Sequence, residues 1–285
     1  MKAELAPITD ADIPAVAAFL NQELNARVST EAWIAAITPP WRPPVPDHGF
    51  MLTAGGEVVG AYLAFYSERR IDGRTLRFCN LAAWCVREQY RFQSLKLLRA
   101  LLAQEGFEFT DLSPSGNVVP LNTRLGFEFL DTTTAVLPNL PWPSWPGRVR
   151  IASVPEAIRR VLSGPELAIY ADHEHAAAAH HVVLHRGDES CYVIFRRDRR
   201  KDLPLFASVL YVSDPALLRR WIRPFTRHLL LRHRLPVTLV EPRVAGYRPR
   251  WARYLSTPRR KMYKSADLGP QRIDNLYSEL VCVPW

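Results

Sequence analysis

The sequence has no apolar run long enough to cross a bilayer, and its opening residues, MKAELAPITDADIP, lack the apolar stretch of a secretory signal. A spanning helix is thereby excluded as the organising element, and a soluble, cytoplasmic protein is expected. Cysteine is scarce: Cys79, Cys85, Cys191 and Cys282 are the four present, and no two form a C-x-x-C pair. Neither a disulfide framework nor a thiolate metal cluster follows from them, and buried reduced thiols are the expectation. Five histidines gather at His173, His175, His180, His181 and His185, but no cysteine or carboxylate set follows at a ligand spacing. The expected number of metal sites is none, and an alanine-rich helix leading into a strand accounts for this stretch. Acidic residues are short in one half only. Residues 1–150 hold 14 Lys and Arg against 15 Asp and Glu, whereas residues 151–285 hold 23 against 13.

What is present is a globular composition of 285 residues, 48% hydrophobic and 23% charged, enough for two cores. The run PNLPWPSWPG at residues 138–147 marks a boundary, giving a first domain at 1–137, a Pro/Trp-rich linker at 138–150 and a second domain at 151–285. Thr9 and Asp10 precede a helix that carries Ile13, Val16, Ala17 and Leu20 on one face, and Ser29 or Thr30 caps a second helix. The proline-dense segment 38–48 is an extended connection. Two strands alternate around Ala54-Gly-Gly-Glu57, a central strand covers Phe78 to Val86, and leucines at helical spacing follow from Ser94 to Leu102. A strand at Phe107 to Leu112, a short helix and a strand at Phe127 to Val136 complete the half. The fold class is α/β, with a mixed (α+β) sheet and helices on both sides. The second half repeats the layout: a hairpin around Arg186-Gly-Asp-Glu189, strands at Phe206 to Val212 and Val237 to Val240, and a helix from Pro215 to Arg232.

The chemistry concentrates in RFCNLAAWCVREQYRFQSLKLLRALL, residues 77–102. A strand that ends in a short turn and opens a helix leaves the first helical N–H groups unpaired and aimed at one spot, which favours an anion. Arg87, Arg91 and Lys96 add positive charge there, so a phosphate or pyrophosphate is the natural ligand. The corresponding turn of the second half, Val212-Ser-Asp-Pro215, supplies its own carboxylate at the helix start and needs no phosphate.

The run VREQYRFQSLKLL resembles the acyl-CoA-binding motif of the GNAT superfamily of N-acyltransferases, R/Q-x-x-G-x-G/A, with Ser94 and Lys96 where the family has glycines. Leu121-Asn-Thr-Arg-Leu-Gly-Phe127 resembles the family's L-Y-x-x-x-G-F segment. The resemblance covers the first half and implies a GNAT-like fold, with the second half as a degenerate tandem copy. It implies acyl-CoA, acetyl-CoA first, as the donor substrate. Main-chain groups near Trp84, Cys85 and Val86 would face the thioester. Arg87 and the turn Arg91, Phe92, Gln93, Ser94, Leu95 and Lys96 would hold the pyrophosphate, and Asn117 would orient the loop or touch the cofactor. Transfer to a small-molecule or peptide amine is direct in this family, so Cys85 is a core thiol, with nothing beside it to lower its pKa selectively.

For proton transfer, Glu68 and Asp111 are candidate bases, with a solvent-facing hairpin charge and a turn-stabilising side chain as the respective structural readings. The family's tyrosine acid falls at Asn122, an amide that donates no proton at neutral pH, with Tyr66 or Tyr90 as substitutes. Two alternatives stand beside this reading: a transferase using aminoacyl-tRNA as donor, and a non-catalytic binding module. Nucleic acid is a possible partner of the basic second half through Arg196 to Lys201 and Arg259 to Lys264. It is not favoured, because no nucleic-acid-binding motif accompanies the charge.

Overall fold

The computed structural model describes residues 2–41, 45, 47–143, 149–200, 203–249 and 252–285. In chain order its elements begin with β1 (Glu4–Pro7), α1 (Ile13–Glu23), α2 (Thr30–Ile37), β2 (Gly49–Ala54), β3 (Glu57–Ile71) and β4 (Arg74–Val86). There follow α3 (Leu95–Leu102), β5 (Phe107–Asp111), α4 (Val118–Arg124), β6 (Glu128–Phe129), β7 (Ala135–Pro138) and β8 (Arg150–Ala152). Next are α5 (Pro155–Val161), α6 (Gly164–His173), β9 (His180–Arg186), β10 (Glu189–Arg200), β11 (Leu203–Val212) and α7 (Pro215–His233). The chain closes with β12 (Val237–Val240), α8 (Pro242–Ala245), β13 (Arg253–Tyr254), β14 (Met262–Lys264) and α9 (Glu279–Cys282).

Local chemistry fixes the helix starts. Thr9 and Asp12 form a reciprocal capping box before α1, whose Ile13, Val16, Ala17 and Leu20 are buried as their spacing requires. Ser29 Oγ accepts from Ala32 N at 3.2 Å to open α2. Asp214 Oδ1 accepts from Leu217 N at 2.9 Å to open α7, with Pro215 in the first helical position. Asp214→Ala should therefore cost about 1 kcal/mol of stability, read as a lower urea midpoint at unchanged slope.

The chain divides into two compact units, and the second is not a continuous half. The first unit holds residues Met1–Leu130, Arg260–Ile273 and Tyr277–Trp285; the second holds Asp131–Arg259 and Asp274–Leu276. The expected limits 1–137 and 151–285 are corrected accordingly, and of the expected linker, residues 144–148 lie outside the described residues. The physical reason lies in strand pairing. The single strand expected at Phe127 to Val136 breaks after Phe129, where Asp131 Oδ1 accepts from Thr133 N (2.9 Å) and Thr134 Oγ1 bonds Thr132 O (2.8 Å). Such side-chain bonds to nearby backbone compete with a ladder. The β7 strand then pairs with β12, and β5 is covered instead by β14, which pairs with β5 on one side and β6 on the other. Both β5 and β12 thus find their outer partner in distant sequence.

Each unit is built on a seven-stranded mixed sheet. The first runs β1-β2-β3-β4-β5-β14-β6 and the second β13-β7-β12-β11-β10-β9-β8. In both, a four-strand antiparallel meander adjoins one parallel pair, β4 with β5 or β11 with β12. The first core gathers Leu52, Tyr62, Leu81, Leu97, Leu101, Phe109 and Met262, and the second Val182, Val193, Phe195, Val209, Leu218, Trp221 and Phe225. One glycine is required by geometry: Gly49 has φ +108°, and a Cβ there would lie 2.2 Å from the carbonyl oxygen of Tyr62.

Candidate acyl-donor site

The parallel pair of the first unit is short. β4 and β5 pair from Arg77↔Phe107 to Asn80↔Thr110, and beyond Asn80 residues 81–86 of β4 have ladder partners, among the described residues, only in β3. An open edge of main chain results. Within it β4 carries a bulge: Ala61 pairs with Cys85 and Leu63 with Ala82, so two residues of β4 face Tyr62 alone. Ala83 takes φ +55° to accommodate the extra residue, a left-handed conformation that alanine adopts at a cost of roughly 1 kcal/mol. The bulge lays the Trp84 indole flat on the Tyr62 ring, with centroids 4.7 Å apart and an interplanar angle of 8°.

Beside this edge lies a cavity of about 250 Å³ lined by Trp84, Val86, Arg91, Ser94, Leu95, Asn117, Val118 and Leu121. It sits at the start of α3, whose Leu97, Leu98 and Leu101 are buried and whose first turn holds no acid. Among the described residues, the first amide of this segment to reach a carbonyl is Leu97 N, to Ser94 O at 3.1 Å, while those of Leu95 and Lys96 bond no backbone oxygen. The short turn expected here is a 3₁₀ helix over Glu88–Gln93 that runs into α3 through Ser94, and the amides of Leu95 and Lys96 at that junction are left as donors for an anion.

Six of the eleven residues expected to contact the donor line this cavity: Trp84, Val86, Arg91, Ser94, Leu95 and Asn117. The other five do other work. Arg87 is held by Glu23 (3.0 Å) and Glu57 (3.1 Å), so its charge is answered within the protein. Phe92 is 74% exposed. Gln93 is buried, and its Oε1 accepts from Ala3 N (3.2 Å) and from Lys96 Nζ (2.7 Å). The Lys96 ammonium thus folds back onto Gln93, and Lys96 is not part of the cavity wall. Cys85 is half-buried, and burial pushes its thiol up to about 11, so it is no nucleophile. Sequence reasoning missed Val118 and Leu121, although their spacing from Asn117 puts all three on one side of α4.

The proton-handling candidates separate. Glu68 is exposed and pairs across the ladder with Arg77, seven residues along β4 from Trp84 and therefore roughly 23 Å from it. It does not join the site. Tyr66 is buried, its hydroxyl donating to Asp47 Oδ1 (2.8 Å) and accepting from Gln104 Nε2 (2.8 Å), and burial raises its pKa far above the usual phenol range. Tyr90 is buried in the same core. Asp111 and Asn122 do come together: Asn122 Nδ2 donates to Asp111 Oδ2 at 2.8 Å, and both residues are buried. Burial, reinforced by the Glu279 carboxylate, pushes the Asp111 carboxyl up to about 7, against the lowering effect of the Asn122 and Ser113 hydrogen bonds. Glu279, on α9, accepts from Ser113 Oγ at 2.5 Å, and its own N–H donates to Asn80 Oδ1 at 3.2 Å. Nothing in the sequence tied a residue so far along the chain to this cluster. Among the described residues no group of His, Cys, Asp or Glu is arranged to hold a metal ion, and no helix is long and apolar enough to cross a membrane.

No protein-family model and no curated protein sequence matches the chain. Solved structures do. A GCN5-related N-acetyltransferase from Anabaena variabilis ATCC 29413 superposes with a TM-score of 0.58 at 12% identity, over 92% of this chain and 72% of that one. A putative acetyltransferase from Pyrococcus horikoshii gives 0.55 at 12% identity, over 93% and 90%. A probable N-acyltransferase from Enterococcus faecalis V583 gives 0.59 at 10% identity, over 95% and 74%. The chain has the GNAT fold. At these identities the likeness speaks for the fold alone.

Proposed function

We propose that the protein is an acyl-CoA-dependent N-acyltransferase, with acetyl-CoA as the first donor to test, that passes an acyl group directly to an amine on a small molecule or peptide. One observation carries this reading: a cavity of about 250 Å³ where the unpaired edge of β4 meets the free amides of α3. The residues present fit a thioester carrier. The amides of Leu95 and Lys96 take the pyrophosphate, and Arg91, 70% exposed and only 3.9 Å from a weak partner in Glu88, adds the charge. A bound thioester supplies an activated carbonyl. Trp84, Val86 and Leu121 exclude water from it, and the bare β4 main chain offers hydrogen bonds along its length. Asp111, poised near neutrality at the end of β5, is the group we assign to accept the amine's proton. Asn122 holds that carboxyl and stands next to Leu121 of the cavity wall.

The test is thiol release from acetyl-CoA and longer acyl-CoAs against an amine panel, together with the donor-induced melting shift. A donor present at a hundred times its Kd should stabilise the fold by about 2.7 kcal/mol, and no shift with any acyl-CoA would refute the reading. Arg91→Ala should weaken donor binding by roughly three- to tenfold, the scale of one exposed charge-assisted contact, and should make binding less sensitive to salt. Lys96→Ala should change it less, because Gln93 already holds the ammonium.

A further inference from the structure

The net charge of +9 belongs to one unit. Residues 131–259 and 274–276 hold 21 Lys and Arg against 12 Asp and Glu, whereas the other unit holds 16 of each. Within the second unit the charge is concentrated on α7. That helix contains Arg219, Arg220, Arg223, Arg227 and Arg232 and no acidic residue. Its apolar face, with Leu218, Trp221, Phe225 and Leu229, is buried in the core, so the arginines lie on the outward side. Arg219, Arg223 and Arg227 form a row broken by a kink: Trp221, with φ −109° and ψ 19°, is not helical, so Arg219 lies on the segment before it, and Arg223 and Arg227 lie one turn apart on the segment after it.

The row has no structural explanation inside the unit. Among the described residues one arginine of α7 has a carboxylate partner, Arg220 with Glu189 at 2.8 Å. Arg219 and Arg223 lie over the rings of Tyr247 (5.7 Å) and Trp142 (4.9 Å), contacts that orient a guanidinium and leave its charge unanswered. The helix field favours cations in the last turn, which accounts for Arg232 but not for Arg219 and Arg220 in the second turn. Like charges four residues apart repel each other, so the row is a standing cost that an external anion would relieve. In the other basic cluster of this unit Arg196 is buried, Arg259 is paired with Asp198 at 3.0 Å and Arg197 donates to the His233 carbonyl at 3.2 Å, so its groups are tied to the protein more than those of α7.

The geometry points to the arginines of α7, with Arg219 and Arg223 exposed and Arg227 half-buried, as a docking surface for the phosphate backbone of a nucleic acid, bound without regard to sequence. Guanidinium groups take phosphate oxygens bidentately, and a nucleic-acid strand presents phosphates in a continuous row. A membrane is disfavoured because a helix lying on lipid needs an exposed apolar face, and that of α7 is in the core. An acidic protein is disfavoured because, among the described residues, Leu231 is the one large apolar side chain exposed on α7, short of the cluster of anchors that gives protein interfaces their affinity. The inference does not depend on the acyl-transfer reading.

The experiment is fluorescence anisotropy of the full chain with a random-sequence DNA duplex and with an RNA hairpin between about 50 and 200 mM salt. With three to five phosphates neutralised, affinity for at least one probe should fall by roughly 100-fold across that range. Arg219→Gln/Arg223→Gln/Arg227→Gln should make the log–log salt slope shallower by about 2 to 3. A control triple in the other unit, Arg70→Gln/Arg99→Gln/Arg124→Gln, should leave binding unchanged. Should the first triple fold poorly, the single Arg219→Gln and Arg227→Gln variants should each weaken binding about threefold. Absence of binding at 50 mM salt would overturn the proposal. So would equal loss in both triples, or binding confined to phosphatidylserine vesicles or to an acidic polypeptide.

Discussion

Placing an indole at position 118 is expected to abolish donor binding while leaving the fold in place. Val118 is half-exposed on the wall of a cavity of about 250 Å³, so the added ring of Val118→Trp enters existing space instead of displacing packed core. The folding cost should stay near 1 kcal/mol, the low end of overpacking penalties. The cost to a ligand is of a different order, because the ring takes the room between Leu121 and Trp84 beside the unpaired edge of β4. Loss of a hundredfold or more in donor affinity, about 2.7 kcal/mol, is anticipated. Two melting curves per variant decide the matter: the wild type shifts upward with acyl-CoA, and Val118→Trp does not. Val118→Ala, which enlarges the same space, should keep the shift. A full shift in the tryptophan variant would mean that the donor binds elsewhere.

The parts of this site that the sequence made legible are those with a local physical cause. Residues 81–86 are apolar and β-rich, and Leu97, Leu98 and Leu101 recur at helical spacing, so the strand and the helix both followed from neighbours in the chain, whereas the 3₁₀ helix over Glu88–Gln93 between them did not. The hairpin of β9 and β10 and the limits of β12 were equally local. What could not be seen depends on distant residues. The partner of β5 is Met262–Lys264, supplied from more than a hundred residues away, because the stretch after Phe129 caps itself and leaves the edge open. Arg87 and Lys96 have the charge of phosphate ligands, but Glu23 and Glu57 hold the Arg87 guanidinium and Gln93 holds the Lys96 ammonium, partners far away in sequence for Arg87 and set by a local fold-back for Lys96. Glu68 has the right chemistry for a base and the wrong end of the strand, a distinction that only the ladder register makes. The same limit applied to Glu279, whose place beside Asp111 is set by where α9 packs.

The second large effect concerns that pair. Asp111 has its carboxyl pushed up to about 7 in the folded protein, first by burial and then by Glu279, whereas an unfolded aspartate titrates near 3.9. Between about pH 4 and pH 7 the native state therefore holds a proton that the unfolded state has released. Stability must fall as pH rises through that window, and the full penalty applies above it. Three pH units correspond to a penalty on the order of 4 kcal/mol. Asp111→Asn removes the ionisation while keeping the shape and an oxygen to accept from Asn122 Nδ2. Its new amide NH₂ replaces an oxygen that can accept from the Ser113 backbone N–H, which sets a counter-cost on the gain. Urea unfolding at pH 4 and pH 8 should show wild type and variant close together at the lower pH, with the variant the more stable by a few kcal/mol at the higher. Parallel behaviour at both would mean that Asp111 ionises normally. Turnover moves the opposite way: if this carboxyl takes the amine's proton, Asp111→Asn loses about 10² to 10⁴ in rate at every pH. A variant that is both sturdier above neutrality and inactive would show that the energy spent on burying a carboxyl beside Glu279 serves the reaction, whereas a sturdier and fully active one would leave Asp111 a purely structural group.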